Sequence, residues 1–269
     1  MPKLRVNGAE IHYEDQGSGP QTIVFAHGLL WSCRMFDAQV AALKDRYRCV
    51  TFDFRGQGQT EVTRDGYDMD TLYEDAAALI EALNLAPCHF AGLSMGGFIG
   101  MRLAARRPEL LRSLILMETS ADPEPAENIP RYRQLGMVAR YVGLRPVAGR
   151  VMPIMFGKTF MTDPARAADR KLWQSRMAGN DKQGIIRALT GVIERKPIYQ
   201  ELDRVALPTL ILVGDEDVAT VPAKSQRIHE AIAGSLLVTI PHAGHTSSVE
   251  QPQVVTTAIA EFLASQPTS

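Results

Sequence analysis

The chain has 269 residues, 45% of them hydrophobic and 22% charged. That suffices for one large α/β domain, or a domain carrying an insertion, without a disulfide or metal to hold the fold together. Lys plus Arg number 29 against 30 Asp plus Glu, a net charge of -1, which argues against a nucleic-acid partner. The three cysteines, Cys33, Cys49 and Cys88, are too scattered for a disulfide framework or a zinc motif and suit a reducing compartment. The N-terminus lacks the apolar core of a signal peptide, and no apolar run approaches the ~20 residues of a membrane span. The expectation is a soluble, cytoplasmic protein with no membrane partner; the oligomeric state is not legible.

Leu4–Val6 and Ile11–Tyr13 flank the turn pair Asn7-Gly8, the signature of a β-hairpin. Short apolar runs follow at Thr22–Ala26, Cys49–Asp53, His89–Gly92, Leu114–Met117, Thr209–Val213 and Leu236–Ile240, as buried parallel strands require. Helical patterns lie between them. Thr71 and Glu74 read as a capping box ahead of Ala76, Leu79, Ile80 and Leu83. Met95–Arg106 forms the next helix, and Pro252 opens a last one with Val255, Ile259 and Phe262 inward. Strands alternating with helices imply a parallel sheet covered on both faces.

Between about Asp122 and Val205 the strand signal vanishes, and helix-like segments separated by Pro and Gly take over. Five of the eleven methionines fall there: Met137, Met152, Met155, Met161 and Met177. The organisation expected is a core of residues 1–121 and 206–269 with a helical cap, 122–205, inserted between two strands.

The strongest chemical signal is Gly92-Leu93-Ser94-Met95-Gly96, a G-x-S-x-G between a strand and a helix. A nucleophile on such a tight turn takes a strained backbone, and side chains two residues either side would collide with the turn. The turn lifts the hydroxyl above the sheet and aims a helix N-terminus at it, which favours an oxyanion. Serine needs a base and the base needs an orienting carboxylate. Two later strand ends offer them: Gly214-Asp215-Glu216-Asp217-Val218, then Pro241-His242-Ala243-Gly244-His245. The order nucleophile, acid, histidine suits this architecture. His242 and His245 lack a third ligand, so no metal is expected.

The chain resembles the α/β-hydrolase superfamily over nearly its whole length. The resemblance rests on the opening hairpin, His27-Gly28, Asp53-Phe54-Arg55-Gly56-Gln57-Gly58, the serine turn, Gly214 to Asp217 and Gly244-His245, all in family order. It implies a mostly parallel eight-stranded sheet with flanking helices and an inserted cap. By family spacing from Gly214 and Pro222 it selects Asp217 over Asp215 and Glu216, and the preceding glycine selects His245 over His242. A few relatives place the acid one strand earlier, where Glu118 and Asp122 lie. The resemblance implies an oxyanion hole from the backbone amides of Leu29 and Met95. His27 reads as a packed loop residue, and Cys33 as a buried neighbour of the oxyanion loop.

Within the superfamily, Gly92 to Gly97 and Ala243 to Pro252 are similar to 3-oxoadipate enol-lactonases. His27-Gly28-Leu29-Leu30-Trp31 looks more like carboxylesterases and cofactor-free haloperoxidases or perhydrolases. The resemblance thus implies hydrolysis of carboxylic esters or lactones, acyl-homoserine lactones among them, through an acyl-enzyme and with no cofactor. The same triad serves C–C bond hydrolases, and the same fold serves non-catalytic small-ligand receptors. Ser94 at the turn excludes relatives that use aspartate there. The expected partner is a small ester or lactone with an apolar acyl group, bound against Trp31, Met137, Met155 and Met161. A charged acyl group would need an inward arginine such as Arg131, Arg133 or Arg140.

Overall fold

The computed structural model describes residues 2–266. Met1 and residues 267–269, which the sequence reading places in the core, lie outside the described residues. The strands are β1 (Lys3–Val6), β2 (Ala9–Gln16), β3 (Thr22–Ala26), β4 (Arg48–Phe52), β5 (Cys88–Leu93), β6 (Leu111–Met117), β7 (Thr209–Gly214) and β8 (Leu236–Ile240). They form one eight-stranded sheet in the order β1-β2-β4-β3-β5-β6-β7-β8, with the β1–β2 and β2–β4 pairs antiparallel and the other pairs parallel. The hairpin turn falls on Asn7 and Gly8, both at positive φ, as the sequence pair requires.

The helices are α1 (Asp37–Leu43), α2 (Met69–Ala82), α3 (Met95–Arg106), α4 (Ile129–Val142), α5 (Arg145–Met155), α6 (Lys158–Thr162), α7 (Ala167–Ala178), α8 (Lys182–Ile193), α9 (Pro222–Ala231), α10 (Ser247–Glu250) and α11 (Pro252–Ala264). Side chains alternate across a strand, and the core divides accordingly. Val24, Val50, Phe90 and Leu114 join α2, α3 and α9 on one face. Ile23, Phe25, Cys49 and Ile115 join α1 and α11 on the other. Asp68, not Thr71, caps α2: its carboxylate accepts from Thr71 N–H, and the helix begins at Met69. The expected capping box does not form: the cap lies one turn earlier, and the Thr71 hydroxyl also donates to Asp68, at 2.7 Å.

The segment from β6 to β7 contains α4 to α8, and no strand among its described residues. Pro130 and Pro146 stand in the first turns of α4 and α5, where their missing N–H costs no helical bond. Gly143, at φ 88°, ends α4, a backbone state that costs a glycine little. Arg131, Arg133 and Arg140 are exposed on α4. Among the described residues, no helix is long and apolar enough to cross a membrane.

Candidate active site

The parallel order reverses between β3 and β5, leaving a crevice at their carboxyl ends, the usual place for a ligand in an open α/β sheet. Ser94 follows β5 and begins α3 with φ 53° and ψ -109°. The flanking glycines make that backbone possible: a Cβ on Gly92 would strike Gly96 O, and one on Gly96 would strike Ala26 O. His245 Nε2 lies 2.9 Å from Ser94 Oγ, and His245 Nδ1 lies 3.0 Å from Asp217 Oδ2. Asp217 accepts from Ala219 N–H, Thr220 N–H and Thr220 Oγ1–H at 2.8, 3.0 and 2.7 Å. Burial alone would raise its pKa, but the His245 imidazole and these donors outweigh burial and hold Asp217 below the usual carboxylate range.

The neighbouring candidates stand elsewhere. Asp215 and His242 are exposed. Glu216 accepts from Thr159 N–H and Oγ1–H at 2.8 and 2.6 Å, tying the loop to α6. Glu118 is fully buried beside Gly214 N–H, which donates to its Oε1 at 3.2 Å. Burial pushes Glu118 well above the ordinary carboxylate range, with Asp217 and Glu250 adding repulsion. Glu250 holds the histidine loop by accepting from Gly157, Gly244 and Thr246 N–H. Its own burial raises it to about 7.

Gly28 brings the loop after β3 against the serine, where an added Cβ would lie 3.3 Å from Ser94 Cβ. Leu29 N–H finds no protein acceptor among the described residues. Met95 N–H opens α3, and the first amides of a helix have no partner within it. Leu30, the next residue, carries a positive φ of 73°. Two side chains grip it: Leu30 N–H donates to Gln57 Oε1 at 2.8 Å, and Leu30 O accepts from Asn180 Nδ2–H at 2.8 Å. Asn180 also accepts from Gly58 N–H at 3.0 Å, so the α7–α8 junction, this loop and the turn after β4 are tied at one point. His27 is buried and neutral in its bonding, donating from Nδ1 to Gly28 O and accepting Phe54 N–H at Nε2. Burial lowers its pKa.

A cavity of about 110 Å³ reaches from Ser94 and His245 into the helices between β6 and β7. Residues of α4, α5 and α8, among them Leu135, Val147, Val151, Met155, Ile185 and Leu189, supply most of its wall. A model of the alpha/beta hydrolase fold family matches residues 21–252. The chain belongs to that family. This α/β hydrolase is 31% identical to a putative non-heme bromoperoxidase, BpoC, of Mycobacterium tuberculosis over 94% of this chain and 97% of that one. It superposes on the enol-lactonase of Burkholderia xenovorans LB400 with a TM-score of 0.91, at 28% identity and over 98% and 100% of the two chains. A thermophilic esterase from Thermogutta terrifontis gives 0.91 at 28% identity, over 98% of each chain. Such relatives support a hydrolase.

The substrate-contact expectations need correcting. Of the four residues expected there, only Met155 lines the cavity. Trp31 is 2% exposed and packs edge-on against Phe156 and Trp173; its place next to the oxyanion loop in sequence does not aim the ring at the serine. Met137 faces outward at 57% exposure. Met161 packs against the core below, and Met152 and Met177 are buried within it. The wall is branched aliphatic rather than methionine-rich. The inward arginine is Arg195, which the sequence reading missed. A buried group of His12, Cys33 and Asp53 places potential ligand atoms within 4.8 Å of one another. Hydrogen bonds already occupy the Asp53 carboxylate, from His12 Nδ1, Cys33 N–H and Gln59 N–H, which makes this set a brace under the loop. Its members are too far apart in sequence to show a motif.

Proposed function

We propose that this α/β hydrolase cleaves carboxylic esters or lactones by a serine, acyl-enzyme mechanism, with Ser94 as nucleophile, His245 as base and Asp217 as its orienting acid. The observation that carries the reading is the unbroken line Ser94 Oγ, His245 Nε2, His245 Nδ1, Asp217 Oδ2, with contacts of 2.9 and 3.0 Å. His245 takes the serine proton as Ser94 attacks the carbonyl, and the Leu29 and Met95 amides receive the oxyanion. His245 then protonates the leaving alkoxide, which in a lactone stays attached to the acyl-enzyme. Water, deprotonated by His245, releases the acid. No step calls for a metal or organic cofactor. The helical segment 122–205 acts as the cap, and its aliphatic wall favours an apolar acyl group.

A perhydrolase reading on the same triad is favoured by one observation, the 31% identity to a chain named as a bromoperoxidase. There hydrogen peroxide replaces water in deacylation, so the acyl-enzyme is common to both. The test is the time course on a simple p-nitrophenyl ester. Many turnovers at a constant rate are expected; release of a single equivalent would mark a ligand receptor that retains the triad. Hydrogen peroxide competing efficiently with water for the acyl group would favour the perhydrolase.

A further inference from the structure

The apolar cavity does not end in apolar residues. Arg195 and Glu124 both line it, and their side chains are only 3% and 8% exposed. Arg195 Nη1 meets Glu124 Oε2 at 2.7 Å, while Arg195 Nε donates to Asp122 O at 3.0 Å. The guanidinium lies over the Phe98 ring, 4.5 Å from its centre. Phe98 is one helical turn beyond the serine, its N–H donating to Ser94 O at 3.0 Å, and it lines the same cavity. Phe98 thus joins the helical turn after the serine to the buried ion pair and shares the cavity with both. Tyr132 adds its phenol to the lining, and burial pushes that phenol up, so it remains a donor.

Two donors at this end are uncommitted. Among the described residues, neither Arg195 Nη2 nor the Tyr132 hydroxyl donates to any group. The cation itself is already balanced by Glu124, whose other oxygen accepts from Asn128 Nδ2–H at 2.9 Å. Lys224 stands close enough to interact with the pair but does not line the cavity. Neither donor atom is among the fully buried polar atoms without a partner, so water can reach both and a ligand oxygen can take its place, whereas a second buried anion beside Glu124 would be costly.

We propose that Arg195 and Tyr132 are specificity-determining residues which select acyl groups carrying a neutral oxygen acceptor, an oxo or ester carbonyl, beyond the Phe98 ring, and that Glu124 excludes acyl groups ending in a carboxylate. The inference rests on the acyl-hydrolase reading above and names its substrate class. Removing Glu124 leaves Arg195 with an unbalanced charge, which turns the discrimination toward carboxylates.

The experiment compares kcat/KM for three p-nitrophenyl esters of equal acyl length: a plain alkanoyl, an oxo-alkanoyl, and the half-ester of a dicarboxylic acid. In the wild-type protein the oxo-alkanoyl ester is expected to exceed the plain one by about tenfold, the worth of one hydrogen bond from a charged donor, and the half-ester to be slowest. In Glu124→Gln the half-ester should gain on the plain ester by about tenfold. Arg195→Met alone strands a buried carboxylate and risks misfolding, so Arg195→Met with Glu124→Leu removes the pair together. With Tyr132→Phe added to that double variant, so that neither donor remains, the ratio of oxo-alkanoyl to plain ester should fall to about one. A ratio near one in the wild type, or an oxo advantage that survives loss of both donors in the triple variant, overturns the inference while leaving the acyl-hydrolase reading intact. A half-ester preferred by the wild type also overturns it. No turnover of any of the three overturns the acyl-hydrolase reading, and this inference with it.

Discussion

Asn180→Ala removes the side chain that joins the α7–α8 junction to the loop carrying Leu29. Two hydrogen bonds to neighbouring loops go with it, Nδ2–H to Leu30 O at 2.8 Å and Gly58 N–H to Oδ1 at 3.0 Å, besides longer ones to Arg176 O and Met177 O within α7. At about 0.5 to 1.5 kcal/mol each, they hold the loop by about 1 to 3 kcal/mol. Leu30 sits at φ 73°, a backbone state that a leucine leaves readily once released. If Leu29 N–H serves the oxyanion, loosening its neighbour costs transition-state binding, with an upper bound of about 10²- to 10³-fold for losing a donor outright. The expectation is a kcat lower by about tenfold to a hundredfold, with KM within about threefold. Steady-state kinetics on a p-nitrophenyl ester measure this, and a melting curve confirms that the variant folds. An unchanged kcat with a raised KM would refute the reasoning, because Asn180 would then only shape the cavity. Gln57→Ala, which frees the other side of Leu30, should show the same split.

Asp217→Asn should lower kcat by about 10³- to 10⁴-fold, because the amide cannot hold the imidazole tautomer; Glu118→Gln should keep activity within about threefold, since Glu118 bonds to Gly214 rather than His245. Thermal stability at several pH values tests the buried acids separately. Glu118 keeps its proton when folded at pH values where the unfolded carboxyl, near 4.5, has lost it, so the folded state binds more protons and stability falls as pH rises past about 4.5. Glu118→Gln should flatten that fall. Asp217 works in the opposite sense: its lowered pKa stabilises the fold above about 3.8 and that contribution is lost as pH drops further. For unsubstituted linear esters, kcat/KM should rise by up to about fourfold per methylene and then level off as the aliphatic cavity fills; a flat series would contradict an acyl-binding role for the cavity.

The serine turn was legible because its cause is local: Gly92 and Gly96 lie two residues either side of Ser94, and each glycine is dictated by a backbone collision. Asp217 and His245 were singled out from their neighbours by the family resemblance rather than by any local collision, while strand ranges agreed with the structure to within a few residues. What sequence could not show was which side of a helix meets the cavity. The segment between β6 and β7 packs helix on helix, α4 against α8 and α5 against α7, so its apolar residues divide between core and cavity. Composition suggested methionine, whereas the wall is Leu, Ile and Val. Nothing local marks Arg195, just beyond the end of α8; its ion-pair partner Glu124 is 71 residues away. Asn180 and Gln57 meet Leu30 across 150 and 27 residues, and no spacing announces such a contact.

The central claim is a covalent acyl group on Ser94. The direct measurement is mass spectrometry of the protein quenched during turnover of a slow ester, and of its peptides, beside the Ser94→Ala variant. The account predicts a mass increase equal to the acyl group, carried by the peptide containing Ser94 and absent from the variant, whose activity falls by several orders of magnitude. An acyl group found on another residue, or a Ser94→Ala protein keeping more than about a tenth of wild-type activity, would contradict it.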